Sequence, residues 1–138
     1  MPSKTFEHKT KIGLHHTDAA GILFYSHIFT LAYDAFDAWL EHVGVSVAWI
    51  ITESDFLFPY VHVEADYLKA MTVGHNVTIV LTIENVGASS LTLNYDFLVD
   101  EEMAARAKTV HVAIHKKTKE KIELPPALVT GIEKFLNS

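Results

Sequence analysis

The 138-residue sequence predicts an α+β fold in which one long helix lies against an antiparallel sheet. Two features carry that expectation. From Tyr25 to Val43 apolar residues recur at helical spacing, and after Asp55 the period falls from 3.6 to 2 for the next strand-like runs. Strands that follow one another after a helix, instead of alternating with helices, indicate a meander and not a parallel sheet with crossovers.

Taken in order, "TFEHKTKIGL", Thr5 to Leu14, reads as a first strand ended by Gly13 and His15–His16. In the long helix Ile28, Ala32, Ala35, Phe36, Trp39, Leu40 and Val43 form an apolar stripe, with His27, Thr30, Asp34, Asp37 and Glu41 on the other side. At 1.5 Å per residue it would be roughly 28 Å long, enough to cross a small sheet, and Gly44 supplies the stop. Ser46 to Ser54 predicts a short second helix. In "FPYVHVEADYL" Val61, Val63, Ala65 and Tyr67 face one way and His62, Glu64 and Asp66 the other. "NVTIVLTIE" alternates Val77, Ile79, Leu81 and Ile83 with polar residues, and "SLTLNYDFL" does so with Leu91, Leu93, Tyr95 and Phe97. "AKTVHVAIH" places Val110, Val112 and Ile114 on one face, while "NVGASS" and "DEEM" read as hairpin connections. "KIELPP" predicts a short strand ended by prolines, followed by a helix from about Pro126 to Leu136.

Neither a repeat nor a Pro/Gly linker divides the chain, so one domain over residues 1–138 is expected. Hydrophobic residues at 49% and charged residues at 20% fit a packed core and exclude a disordered chain. No apolar run nears the ~20 residues of a membrane span, and "MPSKTFEHKTK" does not resemble a signal peptide, so a cytoplasmic location is expected. With no cysteine there is no disulfide, thiolate metal site or cysteine nucleophile. A net charge of −6 argues against a nucleic-acid partner, which requires a basic face. It leaves room for a small anionic ligand met by a few lysines: Lys69, Lys108 or the run "KKTKEK" from Lys116 to Lys121. One helix covers one face of the sheet only, which predicts a homodimer or homotetramer.

The segment with visible chemistry is "HHTDAAGILFY". A helix that starts just after "AAG" leaves backbone N–H groups unpaired and carries a partial positive charge. Such an end stabilises the negative oxygen of a carbonyl under attack. Asp18, a few residues earlier, would then attack the carbonyl or activate a water. From spacing alone, an N-cap or Asx-turn role for Asp18, with Gly21 as a permissive turn residue, explains the same residues more simply. "HHTD" does not make a metal site, because adjacent histidines on a strand point to opposite faces and no second ligand cluster follows. His111 and His115 share a strand face but lie roughly 13 Å apart, too far to chelate together. Phe24, Phe29, Phe36 and Trp39 read as core. Neither a serine-hydrolase elbow nor a P-loop is present.

"TDAAGILFYSHIFTLAYDAF", Thr17 to Phe36, resembles the signature of hotdog-fold acyl-CoA thioesterases of the 4-hydroxybenzoyl-CoA thioesterase type. There an aspartate, a small residue or proline, Ala-Gly-Ile/Val and an aromatic pair lead into the central helix. The resemblance runs from about Phe6 to Pro125. It implies a hotdog fold, an acyl-CoA substrate, no cofactor and no metal. It further implies Asp18 as nucleophile or general base and the Tyr25 backbone N–H as donor to the thioester carbonyl. Because a carboxylate is a feeble base, desolvation beside the apolar helix start would strengthen it.

A narrower resemblance lies in "DFLFPYVHVEADYLKAMTVGH", Asp55 to His75, which is similar to the 1,4-dihydroxy-2-naphthoyl-CoA thioesterases of menaquinone and phylloquinone synthesis. It implies a flat bicyclic acyl group among Phe56, Phe58 and Tyr60, with Gly21 and His62 as further substrate-binding positions. The chain departs from the benzoyl-CoA relatives in lacking basic residues near "ENVGASS", which places CoA phosphates near Lys69, Lys108 or Lys116 or leaves them in solvent. A hotdog dehydratase or hydratase, with His62 as base, and a non-catalytic acyl-CoA-binding module are the competing expectations.

Overall fold

A computed structural model describes residues 4–23 and 25–138; Phe24, expected in the core, lies outside them. Strand β1 (Thr5–Lys11) leads through a 3-10 turn (Leu14–His16) and a loop into helix α1 (His27–His42). Helix α2 (Val47–Thr52), β2 (Phe56–Leu57), β3 (Tyr60–Tyr67), β4 (Asn76–Val86), β5 (Ser90–Val99), β6 (Glu102–Val112), β7 (Ile114–His115) and helix α3 (Pro126–Asn137) follow. Five strands form one antiparallel sheet in the order β1-β4-β5-β6-β3, and β2 pairs with β7.

Helix α1 buries Ile28, Leu31, Ala32, Ala35, Phe36, Trp39 and Leu40, the stripe its spacing predicts, while Thr30, Asp34, Asp37 and Glu41 are exposed. It packs on Val77, Ile79 and Leu81 of β4, Leu91, Leu93, Tyr95 and Phe97 of β5, and the small Ala105 and Ala107 of β6. Gly44 takes φ +87°, a left-handed value that ends the helix without a Cβ penalty. Ser46 caps α2 by accepting from the Trp49 N–H at 3.1 Å. Helix α3 closes the far end, where Phe135 meets the Trp39 ring edge-on at 5.7 Å.

Three expectations fail locally. The first strand stops at Lys11, and "KIELPP" yields only an isolated bridge from Lys121 to Ile114. On β6 the valine row is not the core row: Val110 and Val112 are half-buried on the outer side, while Thr109 and His111 are buried beside the alanines. Small and polar side chains occupy that row because aromatic rings from α1 and β5 already fill the space above it.

The face of the sheet away from α1 is polar. Glu64, Lys108, Asn94 and Thr82 lie in one cross-strand row, and Lys108 Nζ bonds Glu84 at 3.0 Å. A solvated outer face is normal for an antiparallel sheet, so it creates no demand for a covering partner.

Candidate active site

The loop from Thr17 to Ser26 carries the predicted chemistry. An antiparallel bridge between Thr17 and Leu23 closes it, and Ile22 bridges to Thr72. Within it the Ala20 and Ile22 N–H groups donate to Asp18 Oδ1 at 2.8 and 3.2 Å, so the Asx-turn expected as the simpler role is present. Among the described residues no hydrogen bond reaches Oδ2. One oxygen therefore orients the carboxylate and the other stays open. Asp18 is exposed in the single chain, so the expected desolvation is not supplied by the chain alone.

Gly21 adopts φ +78°, which suits glycine, and its N–H bonds the Asp18 carbonyl at 3.0 Å. Its own carbonyl accepts from the Val73 N–H at 2.9 Å. With its N–H and carbonyl both engaged, Gly21 shapes the turn.

The bridge sets Asp18 beside the chain that climbs into α1. Among the described residues the Tyr25 N–H has no acceptor, and Ser26 at the helix start makes no side-chain cap. The Tyr67 hydroxyl donates to the Tyr25 carbonyl, and the two rings lie 5.4 Å apart. Burial, then the nearby Tyr25, pushes the Tyr67 hydroxyl up to about 12, so it stays protonated as a donor.

His15 and His16 do not diverge as strand neighbours would. They sit on the 3-10 turn, where their rings meet at 3.9 Å, and His16 Nδ1 accepts from the Gly13 N–H at 2.9 Å. Burial, then His15 and His27, lowers the His16 pKa against the opposing pull of Asp34, favouring the neutral ring that this acceptor role needs. Among the described residues no three His, Asp or Glu side chains converge on a metal-sized site.

His62 lies on the face its alternation predicts, with Glu64 and Asp66. A register shift between Tyr60 and His62 marks a bulge at Val61, so Tyr60 pairs with buried His111 while His62 pairs with outward Val110. The His62 ring bonds Glu64 Oε1 at 3.0 Å on the outer sheet face. It therefore lies on the opposite side from Tyr60 and does not line the groove. His111 and His115 likewise fall on different strands, β6 and β7, instead of one face of one strand.

From the start of α1 a groove of about 420 Å³ runs between Ser26, Phe29, Thr30, Tyr33, Asp34 and Tyr60. Tyr33 also borders a second, apolar cleft of about 350 Å³ that includes Phe36, Leu40, Ile50, Phe58 and Pro59. The two together follow α1 from its start toward its middle. Of the aromatics expected around the acyl group, Phe58 and Tyr60 line this path, whereas Phe56 is 1% exposed and belongs to the core.

The sequence profile of the thioesterase-like superfamily matches residues 12–132. The chain belongs to that superfamily. It has the hotdog fold, and among related thioesterase-like proteins the 1,4-dihydroxy-2-naphthoyl-CoA hydrolase of Nostoc punctiforme is 29% identical over 94% of this chain and 87% of that protein. The crystal structure of the 1,4-dihydroxy-2-naphthoyl-CoA thioesterase from Synechocystis superposes with a TM-score of 0.86 at 29% identity, covering 93% of this chain and 95% of that one. A DHNA-CoA thioesterase from Staphylococcus aureus shares the fold with a TM-score of 0.87 at 17% identity, covering 94% and 89%.

The thioesterase-like frame sharpens the question of CoA phosphates. Three of the lysines singled out from the sequence are already engaged: Lys69 with Glu102, Lys108 with Glu84, and Lys116 with the carbonyls of Ile50, Ile51 and Ser54 at 2.6–2.9 Å. Lys116 thus ties down the end of α2. No described helix is long and apolar enough to cross a membrane.

Proposed function

We propose that this chain hydrolyses an aromatic acyl-CoA thioester, with 1,4-dihydroxy-2-naphthoyl-CoA as the leading substrate in naphthoquinone synthesis. The observation that carries the reading is a carboxylate pinned at one oxygen by its own loop, in a segment the Thr17–Leu23 bridge holds before the helix start, where among the described residues neither its second oxygen nor the Tyr25 N–H has a hydrogen-bond partner. The relatives' activity supports it.

The thioester carbonyl lies with its oxygen on the Tyr25 N–H, where the α1 dipole stabilises the charge that develops. Asp18 Oδ2 then either attacks the carbonyl carbon, giving a mixed anhydride that water cleaves, or takes a proton from a water that attacks. In either case the C–S bond breaks, CoA leaves as thiolate and collects the proton, and the acid remains. A thiolate is a good leaving group, so a carboxylate suffices. The acyl ring lies along α1 between Phe29, Tyr33 and Tyr60. Substrate binding supplies the desolvation that the isolated chain does not give Asp18.

The protein acts as a single domain in the cytoplasm, as a homodimer or homotetramer. The basis for assembly shifts from the outer sheet face to the β3 edge. There Val61 is 63% exposed and Leu68 55%, beside Tyr25 at 59%, while the opposite edge strand carries Lys9 and Lys11. Light scattering that finds only monomer at assay concentrations refutes this part.

Thiol release across aromatic and aliphatic CoA esters tests the activity. The naphthoyl ester is expected to give the highest kcat/KM, and Asp18→Asn to lower kcat by about 10²–10⁴. Asparagine keeps an Oδ1 acceptor for the Ala20 and Ile22 amides, so its loop and melting temperature stay intact. Hydrolysis by that variant at the parent rate refutes the mechanism. Hydration of an enoyl thioester without thiol release favours a hydratase, and saturable binding without turnover favours a binding module.

A further inference from the structure

Four rings close a circuit behind the groove. Tyr33 and Tyr60, which line it, meet edge to face at 5.7 Å. Tyr33 meets Phe36 at 5.7 Å, Phe36 stacks on His111 at 4.1 Å and 15°, and the His111 ring meets Tyr60 edge-on at 6.0 Å. Phe58, a wall of the apolar cleft, stacks at 5.3 Å from His111 and lies 6.3 Å from Phe36. Among the described residues His111 is thus the one ring in contact with Phe36, Phe58 and Tyr60 together, although it is itself only 1% exposed.

Both of its nitrogens are held. Nε2 lies 2.9 Å from Thr109 Oγ1, which lies 2.8 Å from the Tyr95 hydroxyl, and Nδ1 is 3.4 Å from the Phe58 carbonyl. An imidazole fixed at two points cannot rotate about its own axis, and stacked neighbours inherit that orientation. A leucine of similar bulk would fill the space and fix nothing.

Resting on the thioesterase reading above, we propose that His111 is a positioning residue that sets the preference of this site for planar aromatic acyl groups, by holding Phe36, Phe58 and Tyr60 in the orientation a flat ring requires. It touches no substrate and takes no part in the Asp18 chemistry. A flat acyl group slides between prealigned ring faces, whereas a flexible aliphatic chain adapts to walls in many orientations. Loss of alignment therefore weakens the first and spares the second.

The test compares 2-naphthoyl-CoA with hexanoyl-CoA on the parent, His111→Leu, His111→Phe and Thr109→Val. His111→Leu is expected to lower kcat/KM for the naphthoyl ester about tenfold, mostly through KM, the size of one to two aromatic pair interactions. Hexanoyl-CoA is expected to change less than about threefold, since only non-directional burial serves it. His111→Phe, which restores stacking, returns most of the aromatic preference. Thr109→Val frees Nε2 and lowers the preference part-way, and it carries the test if His111→Leu does not fold. Equal losses on both esters, or an unchanged ratio in every variant, overturn the proposal. Calorimetric binding of 2-naphthoate separates the two readings. If the parent binds 2-naphthoate, His111→Leu weakens it, and no ester is hydrolysed, the activity is refuted and the role of His111 stands. If both esters are hydrolysed and naphthoate binds parent and variant equally, the role of His111 is refuted and the activity stands.

Discussion

Acid should destabilise this protein through His111 specifically. Burial pushes its pKa down to about 4, and the Phe58 carbonyl opposes that only partly. In the unfolded chain an imidazole titrates near its reference value of about 6.5. Between those two values the unfolded chain holds a proton that the folded protein refuses, so stability falls as pH drops from about 6.5 and levels off below about 4. The full gap is worth about 3 kcal/mol, of which about 2 kcal/mol is lost between pH 7 and pH 4.5. Replacing His111 by glutamine removes the titration while keeping hydrogen-bonding capacity for Thr109. Urea unfolding of parent and variant at fixed protein concentration from pH 7 to pH 4.5 provides the comparison. Carboxylates and the other histidines, His16 included, titrate alike in both and cancel in the difference. The parent is expected to lose about 2 kcal/mol more than the variant over that range. A parent-to-variant difference that stays constant with pH refutes the reasoning, because it would mean that His111 accepts a proton as readily folded as unfolded.

Two further outcomes follow from packing. An added Cβ at Gly131 would sit 2.7 Å from the Val43 carbonyl oxygen and 3.2 Å from its Cβ, with backbone unable to yield cheaply. Gly131→Ala is therefore expected to lift α3 off the end of α1 at a cost of about 1–3 kcal/mol, read as a fall in melting temperature; an unchanged transition refutes it. Lys116→Met removes three charge-assisted donors from the Ile50, Ile51 and Ser54 carbonyls. A loss of about 1–3 kcal/mol, with faster amide exchange in α2 and KM for CoA esters within about twofold, is expected. A large rise in KM with intact stability would return Lys116 to the phosphates.

Much of the architecture is legible in the residues alone, because periodicity is a local property. The stripe from Ile28 to Leu40 and the alternation from Val77 to Phe97 each require one geometry to bury their apolar side chains, and both occur as expected. Gly44 marks the helix end for the equally local reason that only glycine takes its φ without strain. Asp18 and Tyr25 also stand out as a candidate pair, since only six residues separate them within one dense local pattern.

What the tertiary structure decided depends on register and on contacts far apart in sequence. One extra residue at Val61 turns Tyr60 inward against His111, where strict alternation would have set it on the same face as His62, and no composition rule foresees a bulge that pairing with β6 selects. Lys69, Lys108 and Lys116 lost their freedom to carboxylates and carbonyls far away in sequence. His111 read as one histidine among nine until three rings from α1, β3 and the segment just before β3, together with Thr109 of its own strand and the Phe58 carbonyl, closed around it. The sequence by itself determined which segments coil, which extend and which acid stands by the helix start, because those follow from neighbours along the chain. Which side of a strand faces the groove, and which polar groups remain available, was settled only by packing across it.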